Sequence, residues 1–156
     1  SPAVSINGSS SNYTMSVTND GIVNITDSVY GIYTYAIKDG SSITNNGTVN
    51  SNNSNGNAYG LYTTLHSSDT ILNSGTISTN GSLGSVGIYL QGSSTGGTVT
   101  NSGTITAKKS GNLDSYSYAF SFSFSSSYMN FEMTSKLFLH LIIFSILIIK
   151  ISLFIS

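Results

Sequence analysis

The chain has 156 residues, of which only 7% are charged; five basic and six acidic side chains leave a formal net charge of −1. Globular domains carry roughly 25% charged residues, so solubility here must rest on Ser, Thr and Asn, and no basic patch exists to hold nucleic acid. There are no cysteines and two histidines, His66 and His140, which excludes disulfides and Cys-ligated metals and leaves no His-rich metal centre.

At the N-terminus the chain begins at Ser1, without a charged start or an apolar signal core. The expectation is a removed signal or an internal piece of a longer protein. A single proline among abundant Ser, Thr, Asn and Gly is unlike the Pro-, Glu- and Lys-rich make-up of disordered chains. Thr, Val, Ile and Tyr favour strands, and Asn and Gly favour turns.

From Ser16 onward the chain repeats. SVTNDGIV (Ser16 to Val23), SITNNGTV (Ser42 to Val49), TILNSGTI (Thr70 to Ile77) and TVTNSGTI (Thr98 to Ile105) share [ST]-[VI]-x-N-x-G-x-[IV]. Their asparagines fall at 19, 45, 73 and 101, so the spacings are 26, 28 and 28. Strand alternation puts Val17, Ile43, Ile71 and Val99 on one parity with Asn19, Asn45, Asn73 and Asn101, with Gly21, Gly47, Gly75 and Gly103, and with Val23, Val49, Ile77 and Ile105. The other parity is mainly polar, Ile22 and Leu72 excepted. Each segment therefore reads as strand, bend, strand with its aliphatics inward. The glycine supplies a positive φ or a close approach at the bend. The asparagine either bonds to its equivalents in successive coils as a structural ladder, or belongs to a plain Asn-x-Gly turn.

A second motif alternates with the first: YGIY (Tyr30 to Tyr33), YGLY (Tyr59 to Tyr62), VGIY (Val86 to Tyr89) and the degraded YAFS (Tyr118 to Ser121). Alternation pairs Tyr30 with Ile32, Tyr59 with Leu61 and Val86 with Ile88, and leaves Tyr33, Tyr62 and Tyr89 on the glycine parity, outside. Those three form a candidate surface aromatic ladder, able to meet sugars or proteins, or simply to pair between coils. Tyr116, Tyr118, Phe120, Phe122 and Phe124 then alternate with small residues as one strand with an aromatic face.

No run in the repeat carries helical periodicity, and a unit of this length suits one coil of a parallel solenoid rising about 4.8 Å per coil. The fold expected is all-β: a right-handed parallel β-helix of about four coils over residues 1–124. Residues 125–156 form a second, apolar region. Its stretch from Lys136 to Ser156, KLFLHLIIFSILIIKISLFIS, approaches the ~20 residues of a membrane span. It reads as a helical anchor making membrane contact through 137–156, as a cap on the last coil, or as an out-of-frame remnant.

The phased alternation of N-S-G-T-I with Y-G-I-Y resembles the passenger repeats of Gram-negative autotransporter adhesins. The resemblance covers about two thirds of the chain. It implies an exported β-helix at the bacterial cell surface, outside the outer membrane, without cofactor or catalysis, whose partners are host-cell or matrix proteins or surface glycans. It also implies a downstream barrel translocator, which this sequence does not contain.

β-Helix enzymes cluster carboxylates for acid–base work. Here Asp20, Asp27, Asp39, Asp69 and Asp114 are expected in separate coils, and the His66–Asp69 neighbours in a solvated loop. No metal or nucleophile motif accompanies them. The alternative is a carbohydrate-active β-helix domain whose active site lies outside this segment.

Overall fold

The computed structural model describes residues 4–7, 13–35, 38–94, 97–111 and 116–124. Thirteen strands occupy them, with no helix among the described residues. After β1 (Val4–Asn7) each coil contributes three. The first coil holds β2 (Ser16–Asn19), β3 (Ile22–Thr26) and β4 (Tyr30–Tyr35), and the second β5 (Ser42–Asn45), β6 (Thr48–Asn53) and β7 (Asn57–Thr63). The third holds β8 (Thr70–Asn73), β9 (Thr76–Gly81) and β10 (Gly84–Ser94), and the fourth β11 (Thr98–Asn101), β12 (Thr104–Lys109) and β13 (Tyr116–Phe124).

Strands one coil apart pair in parallel and form three sheets: β1-β4-β7-β10-β13, β11-β8-β5-β2 and β12-β9-β6-β3. The protein is a parallel β-solenoid of about four turns. The Asn-centred motif supplies two of its walls, and the Tyr-centred motif supplies the third. No helix among the described residues is long and apolar enough to cross a membrane. Residues 125–156, and with them the expected anchor, cap or remnant, lie outside the described residues.

Register follows the repeat. Val17, Ile43, Ile71 and Val99 form one aliphatic column, and Val23, Val49, Ile77 and Ile105 a second. Val4, Ile32, Leu61, Ile88 and Phe120 form the third. The middle members of each column have 3% exposure or less, and each such side chain contributes about 1.5–3 kcal/mol by leaving water. As expected from parity, Ile22 and Leu72 lie outside, at 71% and 37% exposure.

The Tyr wall departs from simple alternation. Gly31 and Ile32 are both buried, whereas Tyr30 and Tyr33 are half-buried on the outer face. The paired register skips from Tyr30↔Tyr59 to Ile32↔Leu61, and from Val86↔Tyr59 to Ile88↔Leu61. Two successive residues face inward at the glycine, so the alternation slips by one. The expectation that Tyr30 and Tyr59 share the inner side with Ile32 and Leu61 is therefore wrong, as is the placing of the glycines outside. A Cβ on Gly31, Gly60 or Gly87 would lie 2.9, 2.4 or 2.2 Å from a methyl carbon of Val49, Ile77 or Ile105. Glycine lets the Tyr wall press onto the facing column. The same slip at Ala119 splits β13: Tyr118 is exposed, whereas Phe120 packs against the core. The expected single aromatic face of that strand is not formed.

Candidate functional site

Two rows of side chains repeat from coil to coil, one at the Asn-Gly corner and one on the Tyr wall. At the corner the asparagines are stacked and turned inward. The Asn19 amide donates to Asn45 Oδ1 at 2.8 Å, Asn45 to Asn73 at 2.7 Å and Asn73 to Asn101 at 2.7 Å. Asn45 and Asn73 are fully buried. Each amide also reaches a carbonyl of the next coil, those of Thr48, Thr76 and Thr104, at 3.2–3.4 Å. The backbone runs the other way: the amides of Asn46 and Gly47 both donate to the Asn19 carbonyl at 2.9 Å, and the two later corners repeat this pattern. The corner thus pairs its buried polar groups from coil to coil, which makes the row a structural ladder.

The glycines of this corner serve close approach. None of Gly21, Gly47, Gly75 and Gly103 has a positive φ. A Cβ on Gly47, Gly75 or Gly103 would lie 2.0 Å from the carbonyl oxygen of the corner glycine one coil earlier. The missing side chain would point along the stacking axis at the preceding backbone, not toward the core as parity implied.

On the Tyr wall the expected ladder is present and larger than expected. Tyr33 and Tyr62 have ring centroids 5.5 Å apart, and Tyr62 and Tyr89 are stacked at 4.7 Å with planes 14° apart. The slip at the glycines brings Tyr30 and Tyr59 out beside them, with Tyr30–Tyr62 at 4.7 Å and Tyr59–Tyr89 at 5.3 Å. Val86, the non-aromatic residue in this series, is buried to 1% between Tyr59 and Tyr118 in the register. Tyr116 stacks on Tyr118 at 5.6 Å, and its hydroxyl lies 3.3 Å from that of Tyr59. Seven tyrosines form the wall. Burial first, then the neighbouring phenols, pushes the Tyr62 hydroxyl up to about 12. Burial likewise raises Tyr59, with the Tyr116 hydrogen bond adding to it, and raises Tyr30. These three phenols are consequently uncharged at neutral pH. The rings of the wall pack on one another both stacked and edge to face.

The carboxylates act as coil-to-coil acceptors. Asp20, Asp27 and Asp39 belong to one coil, the first, and not to separate coils as expected, but they occupy three different corners. Asp20 accepts from the Asn46 amide, Asp27 from the Ser54 hydroxyl and Asp39 from the Ser68 backbone N–H. The hydroxyl bond holds Asp27 below the usual carboxylate range, and the Ser68 N–H does the same for Asp39.

Asp69 corrects a second expectation: at 1% exposure it is buried, not in a solvated loop. Its carboxylate accepts the Ser41 N–H, the His66 N–H and His66 Nδ1 at 2.7, 2.7 and 2.8 Å. The sequence signal was the short His-x-x-Asp spacing; its burial depends on Ser41, one coil earlier. Asp114 lies outside the described residues. Among the described residues no three acidic, His or Cys side chains gather as metal ligands. Neither family models, nor curated proteins, nor solved structures give a match to this chain.

Proposed function

We propose that this chain is a structural and adhesive repeat segment of a secreted bacterial surface protein, of the autotransporter-passenger kind, acting without catalysis. The observation that carries this reading is the division of labour between the walls. Two walls and the Asn corner are spent on coil-to-coil bonding. The third carries a closely packed row of half-buried tyrosine rings, led by Tyr33, Tyr62 and Tyr89. Tyrosine supplies large, rigid contact area at low conformational cost, together with a hydroxyl for hydrogen bonds. Such a wall suits a host-cell or matrix protein or a surface glycan better than it suits a charged ligand. The described carboxylates, each engaged in holding coils, favour the non-catalytic reading over a carbohydrate-active one.

The test is binding of the full chain to immobilised matrix proteins and to a glycan array, beside a variant with Tyr33, Tyr62 and Tyr89 all changed to Ser, its fold checked by circular dichroism. Binding by the parent that is lost in the variant is the expected result. Equal binding by both would remove the wall from the adhesive role, and release of sugar fragments from a bound glycan would overturn the non-catalytic assignment.

A further inference from the structure

We propose that the Tyr wall is an oxidative cross-linking site, at which Tyr62 and Tyr89 of adjoining coils become joined ring to ring as dityrosine. The inference depends on the fold and not on the adhesive reading. Tyr62 and Tyr89 are register partners in neighbouring parallel strands, which places their backbones about 4.8 Å apart. Their rings are the closest near-parallel pair on the wall, 4.7 Å between centroids and 14° between planes.

Around this pair the rings form a continuous set. Tyr30 contacts Tyr33, Tyr59 and Tyr62, and Tyr59 contacts Tyr62 and Tyr89. All are half-buried rather than sealed, so an oxidant reaches the set at several points and a radical can pass along it. Competing electron donors are scarce. The chain has no Cys and no Trp, and Met15 is the one methionine among the described residues.

The step balances with a peroxide and a peroxidase as co-reactants. Each phenol gives up one electron and its hydroxyl proton. The two phenoxyl radicals join through the ring carbons beside their hydroxyls, and the hydrogen on each of those carbons returns to oxygen. Two tyrosines and one hydrogen peroxide give one dityrosine and two waters. The product staples two coils covalently in a chain that cannot form a disulfide.

The experiment is oxidation of the dilute full chain by a peroxidase with hydrogen peroxide, followed by digestion with a protease that cuts before aspartate. Cleavage at Asp39, Asp69 and Asp114 places Tyr59 and Tyr62 in the peptide 39–68 and leaves Tyr89 as the sole tyrosine of the peptide 69–113. The expected result is dityrosine fluorescence in monomeric protein and a joined 39–68/69–113 peptide lighter by two hydrogens. Tyr89→Phe and Tyr62→Phe each abolish that peptide, whereas Tyr59→Phe and Tyr13→Phe, the latter at a site 77% exposed, keep it; its loss in Tyr59→Phe with retention in Tyr62→Phe would overturn the assignment to Tyr62. Oxidation of the parent in denaturant also loses the joined peptide, which keeps the test decisive should the Phe variant misfold. Absence of the joined peptide from the folded parent, or fluorescence confined to covalent dimers, would overturn the proposal.

Discussion

The first and third coils are written in one pattern, SVTNDGIV against TILNSGTI, yet the same positions live in different surroundings. In the third coil Ile71, Asn73 and Ile77 are sealed to 1% exposure or less, and a Cβ on Gly75 would meet the preceding backbone at 2.0 Å. In the first coil Val17, Asn19 and Val23 are half-buried, and a Cβ on Gly21 would meet nothing within 4 Å. The motif therefore specifies an interface between coils more than a coil. In solenoids stability is nearly a sum of such nearest-neighbour terms, so equal residues in unequal positions should carry unequal weight.

The largest expected effect comes from the glycines. Gly75→Val forces a side chain into the Gly47 carbonyl and should destabilise by about 3 kcal/mol or more, as severe overpacking does. Gly21→Val, with open space before it, should cost less than about 1 kcal/mol for its backbone preference. Ser74→Val, at an exposed site on the same bend, belongs with the second group. Denaturant midpoints of the three variants decide this; equal shifts for Gly75 and Gly21 would erase the distinction between inner and outer coils.

The asparagines come next. Asn73→Ala strands the Asn45 amide and the Asn101 oxygen in the interior, and unpaired buried groups cost about 1–3 kcal/mol each. Asn19→Ala disturbs one ladder bond at a half-buried site and should cost about 1 kcal/mol. Thermal melting of both variants sharpens the comparison, and a larger loss for Asn19 would refute it.

Alkaline pH probes the Tyr wall. Folding raises the pKa of Tyr62, to about 12, and of Tyr59 and Tyr30 above the value of free tyrosine. Their contribution to stability is fully present below about pH 10 and is lost as pH rises through the folded values. Stability should thus decline from about pH 10 toward about pH 12, with a smaller decline in Tyr62→Phe. A melting temperature flat across that window in the parent would contradict the burial of these phenols.

The smallest effect is expected at Ile22, which is paired with Thr48 in the register and lies 71% exposed. Ile22→Thr restores the residue found at that place in the later coils and should move stability by no more than about 0.5 kcal/mol. A loss of several times that size would mean that the outer face of β3 is covered.

The sequence by itself determined the period, the coil, the first two core columns and the aliphatic members Ile32, Leu61 and Ile88 of the third. In β2–β3 and their repeats strict alternation holds through the bend, so Val17, Ile43, Ile71 and Val99 could be placed inside from parity alone. It also marked the asparagine row, because one residue type recurring at one phase becomes a stack once coils superpose. Only the tertiary structure decided what the glycines do. Gly75 is glycine because of a carbonyl one coil away, and Gly60 because of the Ile77 methyl across the core; neither neighbour is close in sequence. The slip at those inner glycines turned Tyr30 and Tyr59 outward beside the expected row of three, and Tyr116 and Tyr118 of β13 complete a wall of seven. Alternation is a property of an isolated regular strand. Where two walls press together at a residue without a side chain, packing sets the pleat instead, and that distance exists only in the folded molecule.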